Sequence, residues 1–329
     1  MGLRDRFPPA FALFFLSPIV GELLSGSSPP AEFFQLFGFT IMSLLYGGGA
    51  ILCRELKFRW GKGMGSLVLL GAAYGVIEEG LMVASFQSPS WMDLGILGIF
   101  GRVWGINWVW AVELTAYHSL VSITVLILLV ELLYPERKAE SWLSGKWRKI
   151  VPALFILDVI GGYFIFAQVS NFWPPIPQYL FFIIVTILLV LAAYRLPADW
   201  ARRGRKTMTR PRTILLISTI AAFSCGVVFW ILPNNLSGLV SSILVITLGL
   251  SVILLTIRKL TSYDWSEANP VHRVALAAGS LSPLILGAMF QEFDGSRTDN
   301  TSGMFLVGLA FILFLLVLWR KNGKLGYTE

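Results

Sequence analysis

The chain has 329 residues, 56% of them hydrophobic and only 14% charged, with a mean hydropathy of +0.72. That mix excludes an ordinary soluble domain and reads as a membrane chain. The formal net charge of +7 would suit nucleic acid only on a basic face of a folded soluble domain, and no stretch is available to build one, so nucleic acid is excluded as a partner.

Taken in chain order, apolar runs fall at about 9–25, 31–53, 64–86, 107–134, 151–170, 178–195, 213–232, 236–257, 273–291 and 303–319, each near the length that spans hydrocarbon. They predict an all-α, polytopic transmembrane bundle of about ten helices, forming one integral membrane domain over 1–329. The first run follows Arg4 and Arg6 as a signal peptide would, but Pro18 and Glu22 interrupt it, and a retained helix is expected. With a cytoplasmic N-terminus, Lys and Arg should collect in every second connection. All of the 26 basic residues except Arg102 and Arg297 do so, including Arg202, Arg203 and Lys324. Both termini are therefore expected in the cytoplasm of a cell whose plasma membrane, read as prokaryotic, holds the chain.

The longest outer connection, 87–107, is rich in Trp, Gly and apolar residues and is expected in the headgroup zone, where it could cap a site opening outward. The basic loop 195–212 needs no partner beyond anionic headgroups. Cys53 and Cys225 lie at different predicted depths, so no disulfide is expected. Five helices in each half would permit an inverted repeat, yet the polar third helix has an acid-free counterpart in the eighth. Unusual polar residues concentrate in helices one to four, residues 1–134, whereas 151–319 reads as apolar scaffold.

Ionisable groups within hydrocarbon are costly, and each is a candidate for function. Here they are Glu22, Glu78, Glu79, Glu113, His118 and Asp158. At about 1.5 Å and 100° per residue, Gly71, Gly75 and Glu79 share one helical stripe, a GxxxG surface that brings a neighbouring helix close and aims Glu79 inward. Tyr74 shares the adjacent stripe with Glu78 and could donate its phenolic hydrogen to it. On the fourth helix Thr115, His118, Ser119 and Ser122 form a polar stripe, with Asn107 farther outward on nearly the same side. Glu113 points about 140° from His118 on an ideal helix, so the two are not expected to pair within it.

Two adjacent carboxylates where water is scarce cannot both ionise cheaply. That is the condition for a general acid and base in one site, and equally for a proton carrier. Glu78, Glu79 and His118 are the candidate catalytic residues; Glu113, Asn107, Tyr74 and Ser122 are candidates for binding a substrate or ion. No metal is expected, because zinc wants three or four ligands and the second histidine, His272, falls in a cytoplasmic connection. No cofactor is expected either: the chain has no phosphate-binding loop, dinucleotide fingerprint or zinc-protease helix motif.

The stretch GAAYGVIEEGLM, with Glu78 and Glu79, followed on the next helix by LTAYHS with His118, resembles the first two motifs of the CAAX-protease and bacteriocin-processing (Abi, CPBP) intramembrane proteases. The resemblance covers about 60 residues. It implies peptide hydrolysis by an activated water, with Glu78 or Glu79 as base and His118 helping to stabilise the oxyanion. The sequence departs from the pattern in three places. Gly80 to Ala84 supply no Arg after the pair, Leu114 stands where Phe is usual, and no later predicted helix carries a histidine. The leading expectation is acid/base chemistry between helices three and four on a membrane-embedded peptide or lipid. The alternatives are a proton- or cation-coupled transporter and a non-catalytic scaffold.

Overall fold

The computed structural model describes residues 8–91, 94–200 and 204–325, so Arg4, Arg6, Arg202 and Arg203 of the predicted basic segments lie outside the described residues. Every one of the ten apolar runs becomes a helix. The first, α1 (Pro9–Leu24), is shorter than the rest. It is followed by α2 (Leu36–Arg59), α3 (Met64–Met82), α4 (Trp108–Leu133), α5 (Trp147–Val169) and α6 (Ile176–Arg195). The series ends with α7 (Pro211–Asn235), α8 (Gly238–Thr261), α9 (Pro270–Gln291) and α10 (Met304–Gly323), and α2 to α10 are each long and apolar enough to cross a membrane. The chain is thus an all-α polytopic bundle. The described residues hold only one small β-ribbon, pairing Arg102–Val103 with Ile106–Asn107.

Most helix ends shift from expectation by a few residues, and two of the shifts have a clear cause. The second helix runs 36–59 rather than 31–53, because Pro29 and Pro30 set up a separate short turn, Pro30–Phe33, with Gln35 extended before α2 begins. The ninth begins at Pro270, with the Asn269 side chain accepting the His272 amide as its N-cap, so His272 stands in the first turn of a helix rather than in a connection.

Burial sorts the helices. In α3 and α4, 72% and 67% of the most apolar stretch is buried, against 17% in α5, α6 and α8, whose Leu157, Leu180 and Val240 face outward. α3 packs between α4 and α6, while α7, α9 and α10 form a second packed row. The close approach of α3 to α4 follows from the glycine stripe. A Cβ on Gly71 would stand 2.8 Å from the Ser119 carbonyl oxygen, and one on Gly75 would stand 3.0 Å from the His118 Cβ.

Charged segments gather at one end of the bundle. Lys57 pairs with Glu131 at 3.0 Å, Lys62 donates to the Leu196 carbonyl at 3.0 Å, and Arg54 donates to the Lys138 and Glu140 carbonyls. At the other end Gln178 donates to Trp104 O, Gln291 to Ser25 O and Arg297 to Gly26 O. Arg102 ties the 87–107 connection together by donating to the carbonyls of Gln87, Ser88, Gly98 and Gly105.

Five helical stretches among the described residues are π-turns: Ile19–Leu24, Ser43–Gly47, Ile77–Met82, His118–Val125 and Val227–Ile231. Such turns are rare and often occur at functional sites. Here they carry Glu22, Tyr46, the Glu78–Glu79 pair, His118 with Ser122, and Trp230.

Candidate functional site

The site is built where α3 and α4 touch. The small surface of Gly71 and Gly75 lets the backbone of α4 approach, and this sets the His118 ring against the π-turn that holds both glutamates. His118 Nε2 lies 3.1 Å from Glu79 Oε1, and Nδ1 lies 3.2 Å from Glu78 Oε2. One imidazole thus faces a carboxylate at each nitrogen. Nδ1 is also 3.2 Å from Ser122 Oγ, one turn along α4. His118 and Glu78 are almost fully buried, whereas the Glu79 side chain keeps 12% of its surface exposed and is the more accessible of the pair.

Aromatic rings enclose the imidazole. Tyr117, Tyr46 and Tyr74 have centroids 5.2, 5.9 and 6.0 Å from it, the first and last edge-on. Tyr46 and Tyr74 both lie near Glu78, but the Tyr74 hydroxyl, expected to donate to it, makes no directed hydrogen bond. Tyr46 also donates to Glu22 Oε1 at 2.7 Å, and Ser28 donates to Glu22 Oε2 at 3.0 Å. Glu22 is thereby joined through Tyr46 to the central cluster.

On the far side of Glu79, Ser85 donates to Oε2, and the Trp110 indole donates to Ser85 Oγ at 3.0 Å. Ser85 is completely buried, on the turn just after α3 where Ala84 adopts a φ of 55°. That left-handed residue, uncommon for alanine, folds Ser85 back beneath Glu79. Tyr46, Ser85, Trp110 and Tyr117 were not among the residues expected from sequence. Only Glu22 had a signal, its charge within an apolar run.

The remaining candidates separate. Ser122 joins the cluster. Asn107 is buried as the N-cap of α4, its Oδ1 accepting the Trp110 amide at 3.0 Å. Glu113 faces the other side of α4, beside Trp230 and Cys225, in line with its predicted angle. Asp158 sits on α5, where its Oδ2 accepts no hydrogen bond.

Ligand atoms of Glu78, Glu79 and His118 all lie within 4.8 Å of one another, close enough to converge on a cation. Both imidazole nitrogens already face carboxylates, so a metal would have to displace one of those contacts. A cavity of about 2300 Å³ borders Glu22, Glu78, Glu79, Glu113 and His118 and continues to Lys57, Glu131 and Lys138 at the basic end; Asp158 is not on its wall. Such a space, largely apolar with a few convergent polar groups, can hold a small ligand or an acyl or peptide segment.

No curated protein and no solved structure matches the chain. A family model does match over residues 11–328, nearly the whole length, and the chain belongs to that family, an uncharacterized membrane protein family.

Proposed function

We propose that this protein is a membrane-embedded hydrolase whose acid/base centre is Glu78, Glu79 and His118, acting on a peptide or lipid that enters from the bilayer. The observation that carries the reading is the imidazole held between two carboxylates on the wall of a large cavity. Glu79, the more exposed carboxylate, takes a proton from a water molecule. The resulting hydroxide attacks the substrate carbonyl carbon, and His118, oriented by Glu78 and Ser122, stabilises the oxyanion. Protonated Glu79 then delivers its proton to the leaving group as the scissile bond breaks. The resemblance of these motifs to the CAAX-protease and bacteriocin-processing family supports the same roles.

A scaffold would leave every acid capped by neighbours. Glu22 is capped on both oxygens and Glu78 Oε2 faces His118 Nδ1, but Glu113 Oε2 accepts no directed hydrogen bond. One observation favours a second reading: the space that Glu79 and His118 border is also lined by Lys57, Glu131 and Lys138 at the basic end, groups a proton- or cation-coupled transporter could use.

The test is purified protein in proteoliposomes, offered membrane-inserted peptides and acyl esters while internal pH is followed. Hydrolysis that falls by about 10²–10⁴ in Glu79→Gln and His118→Gln supports the enzyme. Proton flux without cleavage, lost in the same variants, would replace it with the transporter.

A further inference from the structure

Away from His118, on the opposite face of α4, stands a further buried carboxylate. Glu113 is 8% exposed, and its Oε2 accepts no hydrogen bond although it borders the cavity. The Trp230 indole and Cys225, both on α7, lie near its carboxyl group. Trp110 meets Trp230 edge to face, with centroids 6.1 Å apart. Among the described residues no Lys or Arg forms an ion pair with Glu113.

A carboxylate oxygen that is neither hydrogen-bonded nor ion-paired is expensive in a low-dielectric setting, and a cation brought by a ligand removes that cost. Indole faces add attraction for the same charge, strongest for ammonium groups that shed their water easily. Glu113 lies five residues into α4, about 7 Å below its outer end, a depth at which amines on apolar tails reside. Trp230, at the corresponding level of α7, keeps 53% of its surface exposed, leaving a way in from the lipid side.

We propose that Glu113, Trp110 and Trp230 form a binding site for an alkylammonium group carried on an apolar tail, separate from the Glu79–His118 centre. The carboxylate supplies the counter-charge, the two indoles supply the walls, and the cavity beyond takes the tail. The site stands whether or not Glu79 performs hydrolysis, since binding alone reveals it.

The test is equilibrium binding of radiolabelled hexyltrimethylammonium to the full-length protein in phosphatidylglycerol nanodiscs, which contain no amine headgroup. Saturable binding is expected, weakened at least about tenfold in Glu113→Gln and severalfold in Trp230→Leu. Glu113→Asp, which keeps the charge, should bind within a few-fold of the parent and guards against mere misfolding. Binding unchanged in Glu113→Gln, or absent from the parent protein, overturns the proposal, as does equal competition by uncharged hexanol. A second arm replaces part of the lipid with phosphatidylethanolamine. Weaker apparent binding there supports the site with a lipid amine as its occupant; equal binding supports it with a free lipophilic amine.

Discussion

Gly75 and His118 approach so closely that a methyl group on the glycine would stand 3.0 Å from the histidine Cβ. The imidazole is therefore positioned by the absence of a side chain on the neighbouring helix. Gly75→Ala should shift this stretch of α4 by a few tenths of an ångström and move His118 relative to Glu79, lowering the proposed hydrolysis with a smaller loss of stability than at Gly71. At Gly71 the obstacle is backbone, the Ser119 carbonyl and Cα, which cannot swing away. Gly71→Ala should cost about 1–3 kcal/mol of stability. Thermal unfolding in detergent, measured beside turnover, separates the two outcomes.

Ser85 links Trp110 to Glu79. Ser85→Ala strands a buried indole N–H and removes a donor from the carboxylate, at about 1–3 kcal/mol. The proposed hydrolysis should fall with it, and Ser85→Thr should recover both. A Ser85→Ala protein with full stability and turnover would show that the contact contributes nothing.

At the basic end Arg54 is 1% exposed, lies 4.0 Å over the Trp142 ring and donates to two backbone carbonyls of the α4–α5 connection. Beside it Glu55 accepts the Trp142 amide at 2.6 Å and Ser141 Oγ at 2.7 Å. Arg54→Ala should lower stability by about 3–5 kcal/mol, the range for breaking a buried charged network. Arg54→Lys should not restore it, because an ammonium lacks the planar fork that stacks and donates twice. Melting temperatures of the two variants check this directly.

In the α9–α10 connection, hydrogen bonds from Arg297 hold the Asp299 carboxyl below the ordinary aspartate range. Arg297 also donates to the Gly26 carbonyl at 2.8 Å, clasping the α1–α2 connection. A depressed carboxyl contributes its full share above the ordinary value of about 3.9 and loses it as pH falls through the lowered one. Spin labels at Ser27→Cys and Ser296→Cys, on a background free of Cys53 and Cys225, should report one distance from pH 7 to about pH 4.5. The distribution should broaden only in stronger acid, and in Arg297→Gln at every pH.

Much of the architecture was legible because spanning a bilayer demands about twenty apolar residues in a row, and nine of the ten apolar runs form helices of about that length. The meeting of α3 with α4 was legible too, since Gly71 and Gly75 pointed to it and Glu79 and His118 lie on it. What escaped depends on contacts across helices. Tyr46 carries no charge to mark it, standing before Gly47 to Gly49 in an apolar run, and Ser85 gains its place from the turn at Ala84. Asn107 read as part of a polar stripe, yet it sits one residue before the helix, where a short amide side chain caps the first turn. The projection at 100° per residue also assumed an unbroken α-helix, which does not hold where the acids and the histidine sit.

A π-turn amounts to a single amino acid slipped into a regular helix. The chemistry of this chain is thus mounted on what are, in effect, small insertions. Excising Ile77, the residue just before the acids, would return α3 to ordinary winding and swing everything beyond it by about 100°. The helix would still be apolar and still long enough for the bilayer, yet its two acids could no longer both meet the imidazole. Relatives that share the spans but differ by one residue in such a turn would keep the architecture and lose the centre.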